Sequence, residues 1–176
     1  MLIDYFPDHP EFIPILAPAI VAHYESMDPE ENLARRIEKL RSHMNKDELP
    51  IAWVAHSEGE PLGMAALRVH DLEGREDLTP WLAGVFVLPE HRRRGVASSL
   101  CRIVEEKAWM LGVETLYLFT TDQQSLYSRL GWRFLDKAAW RGPSTTGPIA
   151  SPTVPDPCEG VAVVLCFLFD TQLRSA

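Results

Sequence analysis

The chain has no paired cysteines, no apolar run long enough to cross a bilayer and no excess of positive charge. Its three cysteines, Cys101, Cys158 and Cys166, are odd in number and lack paired spacing. Neither a disulfide framework nor a zinc pattern is therefore expected, and the thiols read as reduced. The apolar run from Val161 to Phe169 is far shorter than the roughly 20 residues of a membrane helix. The stretch from Phe12 to Ala22 follows Asp4, Asp8 and Glu11 rather than a basic segment, which argues against a signal peptide. A formal net charge of −8 repels phosphate backbones, so no nucleic acid is expected as a partner. His9, His23, His43 and His56 show no metal-ligand spacing, and no metal is expected. These absences together describe a cytoplasmic protein with no membrane attachment.

What is present is ordinary globular composition, 46% hydrophobic and 24% charged over 176 residues, which fits one domain spanning 1–176. Leu2–Phe6 reads as a strand. Asp8 and Glu11 are spaced as a capping box for a helix running to about Met27, although Pro14 and Pro18 interrupt it. Asp28-Pro29-Glu30-Glu31 repeats the start signal, and Leu33, Ile37, Leu40 and Met44 mark one helical face. Ile51–His56 and Pro61–Val69, joined by Ser57-Glu58-Gly59-Glu60, suggest a hairpin. Trp81–Leu88 is nearly all apolar, as a strand covered on both faces would be. A helix from Gly95 to Leu111, with Gly112 as its stop, precedes a strand at Thr115–Thr120, and this βαβ unit implies parallel pairing. A short helix at Gln124–Leu130 and strands at Trp132–Trp140 and Gly160–Phe169 complete the order. Between those last two lies Gly142–Pro157, rich in turn formers and expected to be an irregular loop.

The informative segment runs from Val85 through Phe86, Val87, Leu88, Pro89, Glu90, His91, Arg92, Arg93, Arg94, Gly95 and Val96 to Ala97. It is a buried strand, a turn holding three arginines, and a helix that opens on small residues. The first N–H groups of a helix have no intrahelical partner and carry the positive end of its dipole. Small residues let a ligand approach them, and a diphosphate is the natural guest.

This segment resembles the acyl-CoA-binding signature of the GNAT superfamily of acetyl-CoA-dependent N-acetyltransferases, R/Q-x-x-G-x-G/A, here Arg92-x-x-Gly95-x-Ala97. The preceding Val85, Val87 and Pro89 match as well, as does the element order along nearly the whole chain. The resemblance implies an α/β (α+β) GNAT fold: a mixed, mostly antiparallel sheet of six to seven strands flanked by helices, with a splayed parallel pair at the acyl-CoA site. It implies that backbone amides from Arg92 to Ser98 hold the pyrophosphate, with Arg92 and Arg94 adding charge. Val85, Phe86 and Val87 would meet the pantetheine arm, and the Val87 amide would polarise the thioester carbonyl. Tyr127, in Leu126-Tyr127-Ser128-Arg129-Leu130-Gly131-Trp132, matches the family's Y-x-x-x-G-[FW] stretch and would protonate the departing thiolate. By its residues alone, the same tyrosine reads first as a group that packs a short helix onto the sheet.

Two positions depart from the pattern. Arg93 stands where many members carry glycine, and Thr120-Thr121-Asp122-Gln123-Gln124 lacks the usual Asn-x-x-Ala. An attacking ammonium must also lose a proton, yet Trp81–Pro89 contains no carboxylate. His70, Asp71, Glu73, Glu76 and Asp77 lie just upstream, and Asp71 and Glu73 are the guesses for a base. Cys101 reads as packed rather than reactive, and Trp81 reads as sheet packing, with reach to an acceptor pocket from the strand's entry as its alternative. The resemblance thus implies acetyl transfer from acetyl-CoA to a primary amine of a small molecule or peptide, by direct attack in a ternary complex. A non-catalytic acyl-CoA sensor is the alternative, and a longer acyl donor and a homodimer both stay open.

Overall fold

The computed structural model describes residues 1–26, 28, 30–139 and 161–168. Seven strands, β1 (Leu2–Tyr5), β2 (Ile51–Ser57), β3 (Glu60–Arg68), β4 (Trp81–Val87), β5 (Thr115–Thr120), β6 (Arg133–Ala139) and β7 (Val161–Leu168), form one sheet. Their order is β1-β2-β3-β4-β5-β7-β6. Every neighbouring pair is antiparallel except β4 and β5, which run parallel. The hairpin between β2 and β3 turns on Glu58 and Gly59, both at positive φ (54° and 81°). Two such residues twist a two-residue turn with the same hand as the strands it joins.

Helices cover both faces. On one, α3 (Val96–Met110) buries Leu100, Cys101, Val104 and Ala108 against Trp53, Leu67, Leu82, Leu116 and Leu165. Each leucine or valine among them removed from water is worth about 1.5–3 kcal/mol, so this face anchors the central strands. On the other face, α1 (Ile13–Tyr24) buries Leu16, Ala17 and Ile20, and α2 (Leu33–Arg41) adds Leu40, against Phe6, Phe12, Val54, Met64 and Phe86. β4 feeds side chains to both layers, as its unbroken apolar sequence implies. The fourth helix, α4 (Gln124–Arg129), is one and a half turns long and buries Tyr127.

Several local expectations are corrected. Asp8 and Glu11 do not open one long helix: 3-10 turns at Phe6–Asp8 and Pro10–Phe12 come first, and α1 starts at Ile13 with no side-chain cap. Prolines at 7, 10 and 14 each fix φ and remove a donor, which suits short turns better than a continuous start. Pro18 nevertheless lies within α1, where the buried stripe outweighs its missing hydrogen bond. Asp28 is not the cap of α2. Asn32 is, its side-chain oxygen accepting from the Arg35 N–H at 3.0 Å. Met44 falls beyond α2, bridging to Ile51. Met27, Pro29, Trp140 and the loop Gly142–Pro157 lie outside the described residues, as does Cys158.

Candidate active site

The turn before α3 is held in a shape that few residues adopt easily. Arg93 has φ 62° and Gly95 has φ 81°. Gly95 is the N-cap of α3, no side chain caps that end, and a Cβ placed there would meet nothing within 4 Å. The first intrahelical bond runs from the Ser99 N–H to the Gly95 carbonyl at 3.0 Å. The N–H groups of Val96, Ala97 and Ser98 therefore have no intrahelical acceptor and sit at the positive end of the dipole. Open space before three such amides, with Arg92 and Arg93 beside them, is a cradle that fits a diphosphate.

β4 prepares the next stretch. Its register with β3 passes from Ala66↔Ala83 to Met64↔Phe86, so β4 carries one extra residue between these pairs, and Gly84 takes φ 58° there. Such a bulge re-aims the strand beyond it. The Leu88 N–H donates to the Leu62 carbonyl at 3.0 Å. By antiparallel alternation, the adjacent Gly63–Val87 pair is the non-hydrogen-bonded kind, and Val87's own N–H and C=O point away from β3. Arg92 Nε donates to that carbonyl at 3.0 Å, which leaves the amide facing the gap toward β5. The gap exists because β4 and β5 pair only at Trp81↔Tyr117 before diverging.

A cavity of about 740 Å³ runs along this gap. Val85, Phe86, Val87, Arg92, Arg93, Gly95, Val96, Ala97, Ser98 and Tyr127 all line it. Arg94 does not; it is exposed at the surface of the turn. Tyr127 is 7% exposed and packs edge-on against Trp132, with ring centroids 6.2 Å apart. The residue packs α4 onto the sheet and also lines the cavity. Burial, with smaller contributions from Cys101, Tyr24 and Asp122, raises its pKa well above the ordinary phenol value. The phenol accordingly holds its proton throughout the neutral range.

Against known families, residues 17–132 match the model described as the acetyltransferase (GNAT) family. The chain belongs to the GNAT acetyltransferase family. Among solved structures, the GNAT chain is similar to a ribosomal-protein-alanine N-acetyltransferase from Brucella melitensis, with a TM-score of 0.70 at 16% identity, covering 96% of this chain and 100% of that one. It is likewise similar to aminoglycoside 6'-acetyltransferase type Ii (TM-score 0.64, 19% identity, 96% and 97% covered). A third likeness is to an aminoglycoside 6'-N-acetyltransferase complexed with coenzyme A (TM-score 0.65, 17% identity, 96% and 97% covered). Identities this low carry the shared fold and no more. A sequence search of curated proteins found no match.

The GNAT cavity is also walled by groups that its sequence did not single out for a site: His23, Tyr24, Asp28, Glu31, Arg36 and Lys39, from α1, α2 and the segment between them. Glu31 is almost fully buried and holds Arg36 through two contacts, Oε1 to Nε at 2.8 Å and Oε2 to Nη2 at 2.6 Å. Arg36 also lies over the Tyr24 ring, 5.7 Å from its centroid. The spacing of Glu31 and Arg36 was visible in the sequence, but five residues across a helix start is not a helical pair, and nothing in the pattern aims it at a cavity. Asp71 and Glu73, guessed as bases, do line this wall, whereas His70, Glu76 and Asp77 do not. Asp71 accepts from Arg68 Nη1 at 2.5 Å. Burial raises its pKa, against the opposing pull of Arg68 and Lys39.

His23 stands beside Phe86 with ring centroids 5.7 Å apart. Burial and then the nearby Arg92 lower its pKa, so the imidazole is neutral at neutral pH. Trp81 does not reach the cavity: it is fully buried, donating Nε1–H to the Leu78 carbonyl at 2.7 Å and packing near Tyr117 and Phe119. Cys101 is sealed under α3, its thiol pushed up to about 12 by burial, as a packing residue should be.

Proposed function

We propose that this GNAT protein is an N-acetyltransferase that moves an acetyl group from acetyl-CoA to a primary amine by direct attack within a ternary complex. The observation that carries the reading is the continuity of the cavity. One space joins the free amides of α3, the Val87 edge of β4, Tyr127 and a wall of ionisable side chains.

In this reading the pyrophosphate lies on the N–H groups of Val96, Ala97 and Ser98, with Arg92 and Arg93 balancing its charge. Bound there, acetyl-CoA supplies an activated thioester. Val87's N–H donates to the thioester carbonyl, where negative charge develops during attack. Val85 and Phe86, beside the bulge, complete the channel for the pantetheine arm. Tyr127 provides the proton that the sulfur takes on leaving, a role that its retained proton suits.

The amine meets the wall of ionisable side chains. Asp71 is committed to Arg68, Glu31 to Arg36, and Asp28 accepts from the Glu30 N–H at 3.1 Å, which leaves His23 and Glu73 as the other described proton acceptors of the wall. His23, neutral and beside Phe86, is placed to take the ammonium proton before attack. The neighbouring structures, named for aminoglycoside and ribosomal-protein substrates, show that amine acceptors of very different size occur on this fold. A cytoplasmic, single-domain protein is part of this proposal; separately, none of the described helices is long and apolar enough to cross a membrane.

Thiol release from acetyl-CoA against a panel of small amines and peptide N-termini tests this, with Tyr127→Phe as control. The expected result is release that depends on one amine class, with kcat roughly 100-fold lower in the variant and acetyl-CoA affinity unchanged. The phenylalanine keeps the packing on Trp132, so loss of rate without loss of fold isolates the hydroxyl. Tight CoA binding with no release on any amine identifies a sensor instead.

A further inference from the structure

At the sheet edge farthest from β6, three potential metal ligands meet: Asp4 and His9, close in sequence, and His56, far along the chain. Strand pairing creates half of the cluster. Asp4 lies opposite Val54 and Leu2 opposite His56, so Asp4 and His56 are diagonal neighbours on the same face of β1 and β2. The paired 3-10 turns bring the other half, because His9 joins them and its ring meets the same carboxylate and the His56 ring. The ligand atoms all fall within 4.8 Å of one another. Both imidazoles aim Nε2 at a single carboxylate oxygen, Asp4 Oδ2, from 3.1 Å (His9) and 2.8 Å (His56).

We propose that Asp4, His9 and His56 form a binding site for a divalent transition metal, zinc foremost, that pins β1 and the turn after it to β2. Two imidazoles and one carboxylate are a recurring donor set for zinc, leaving one position for water. Bonds of about 2.0–2.1 Å in a tetrahedron place ligand atoms roughly 3.3 Å apart. The Asp4–His contacts already approach that separation, and small side-chain rotations admit an ion between them. Each Nε2 then gives its lone pair to the metal, its proton passing to Nδ1 or to solvent, with no change of oxidation state.

Two further features fit this assignment. His9 Nδ1 lies 3.1 Å from Glu11 Oε1, so Glu11 stands where a metal-bound imidazole finds a carboxylate for its second nitrogen. Phe12 stacks on the His9 ring at 5.0 Å with planes 6° apart, and it lies 5.8 Å from His56, which walls the cluster on its apolar side. His56 is buried and His9 mostly so, whereas half-exposed Asp4 leaves an approach from solvent. None of the three residues lines the acetyl-transfer cavity, so the site is independent of the reaction proposed above.

The test is calorimetric titration of the tag-free, metal-stripped full chain with Zn²⁺, alongside the visible spectrum of the Co²⁺ form. One equivalent bound, a cobalt spectrum showing low coordination with nitrogen ligands, and a rise of several degrees in Tm are expected. His9→Gln and His56→Gln each abolish uptake, and Glu11→Gln weakens it roughly 10–100-fold. Acetyl-CoA binding is unchanged in all three. His9 sits in a turn, so its variant keeps the test informative if His56→Gln folds poorly. Absence of zinc and cobalt uptake by the wild-type chain, or uptake that survives His9→Gln, overturns the proposal.

Discussion

Arg92 reaches back across the turn to Val87, its Nε–H donating to the Val87 carbonyl at 3.0 Å. One side chain thereby couples the arginine turn to the strand edge that the thioester would meet. Replacing Arg92 with alanine removes a charge from the cradle and releases the carbonyl. Hydrogen bonds to charged groups are worth about 1.5–3 kcal/mol, so CoA affinity should fall roughly 10- to 100-fold by calorimetry. Lysine restores the charge without the Nε geometry and should recover only part of the loss.

Arg93 occupies the left-handed region at φ 62°, which costs a residue with a Cβ about 1 kcal/mol. Arg93→Gly should raise stability by about that amount in urea melts, less what glycine's freer unfolded chain takes back. A β-branched replacement, Arg93→Val, should lower it. Equal stability of all three proteins would show that the turn is not strained.

Gly63 sits where β3 passes β4. A methyl group there would collide with the Phe86 carbonyl oxygen and press on the Val87 Cα. Because the obstacle is backbone, it cannot rotate aside. Gly63→Ala should therefore destabilise the fold by about 1–3 kcal/mol, through overpacking. It should also raise KM for acetyl-CoA by shifting the edge that carries Val87. A variant with unchanged Tm and KM would show that β4 gives way freely.

His43 is buried, with Nδ1–H donating to the Lys39 carbonyl at 2.5 Å, and burial lowers its pKa to about 4 from the ordinary 6.5. Between those values the unfolded chain binds a proton that the folded chain refuses. Full stability therefore holds above pH 6.5 and is lost progressively as pH falls toward 4, by roughly 3 kcal/mol from this residue. Urea melts at pH 7 and pH 5 check the direction. His43→Gln should flatten the slope over that window. An unchanged slope would place the loss elsewhere.

The turn before α3 was legible because it is local. Arg92, Gly95 and Ala97 act through the backbone of a few consecutive residues, so their spacing carries the geometry almost directly. The strands and α3 were legible for a similar reason, since burial on one face or both writes a period into the sequence. The start of α1 was misread, because proline and acidic residues serve 3-10 turns as readily as helix caps. The ionisable wall of the cavity was invisible. His23, Glu31, Arg36 and Lys39 show no shared spacing, and their convergence depends on how α1 and α2 pack across the sheet.

By itself, then, the sequence determined the cradle, the succession of strands and helices, and the family signature, each of which depends on contacts between near neighbours in the chain. Only the tertiary structure decided that β4 and β5 part after Trp81, that Tyr127 faces the resulting gap, that Asp71 is held by Arg68, and that Asp4, His9 and His56 meet at the edge of the sheet. Those relations join residues up to tens of positions apart through pairing register and helix packing, and no local pattern of side chains records such distances.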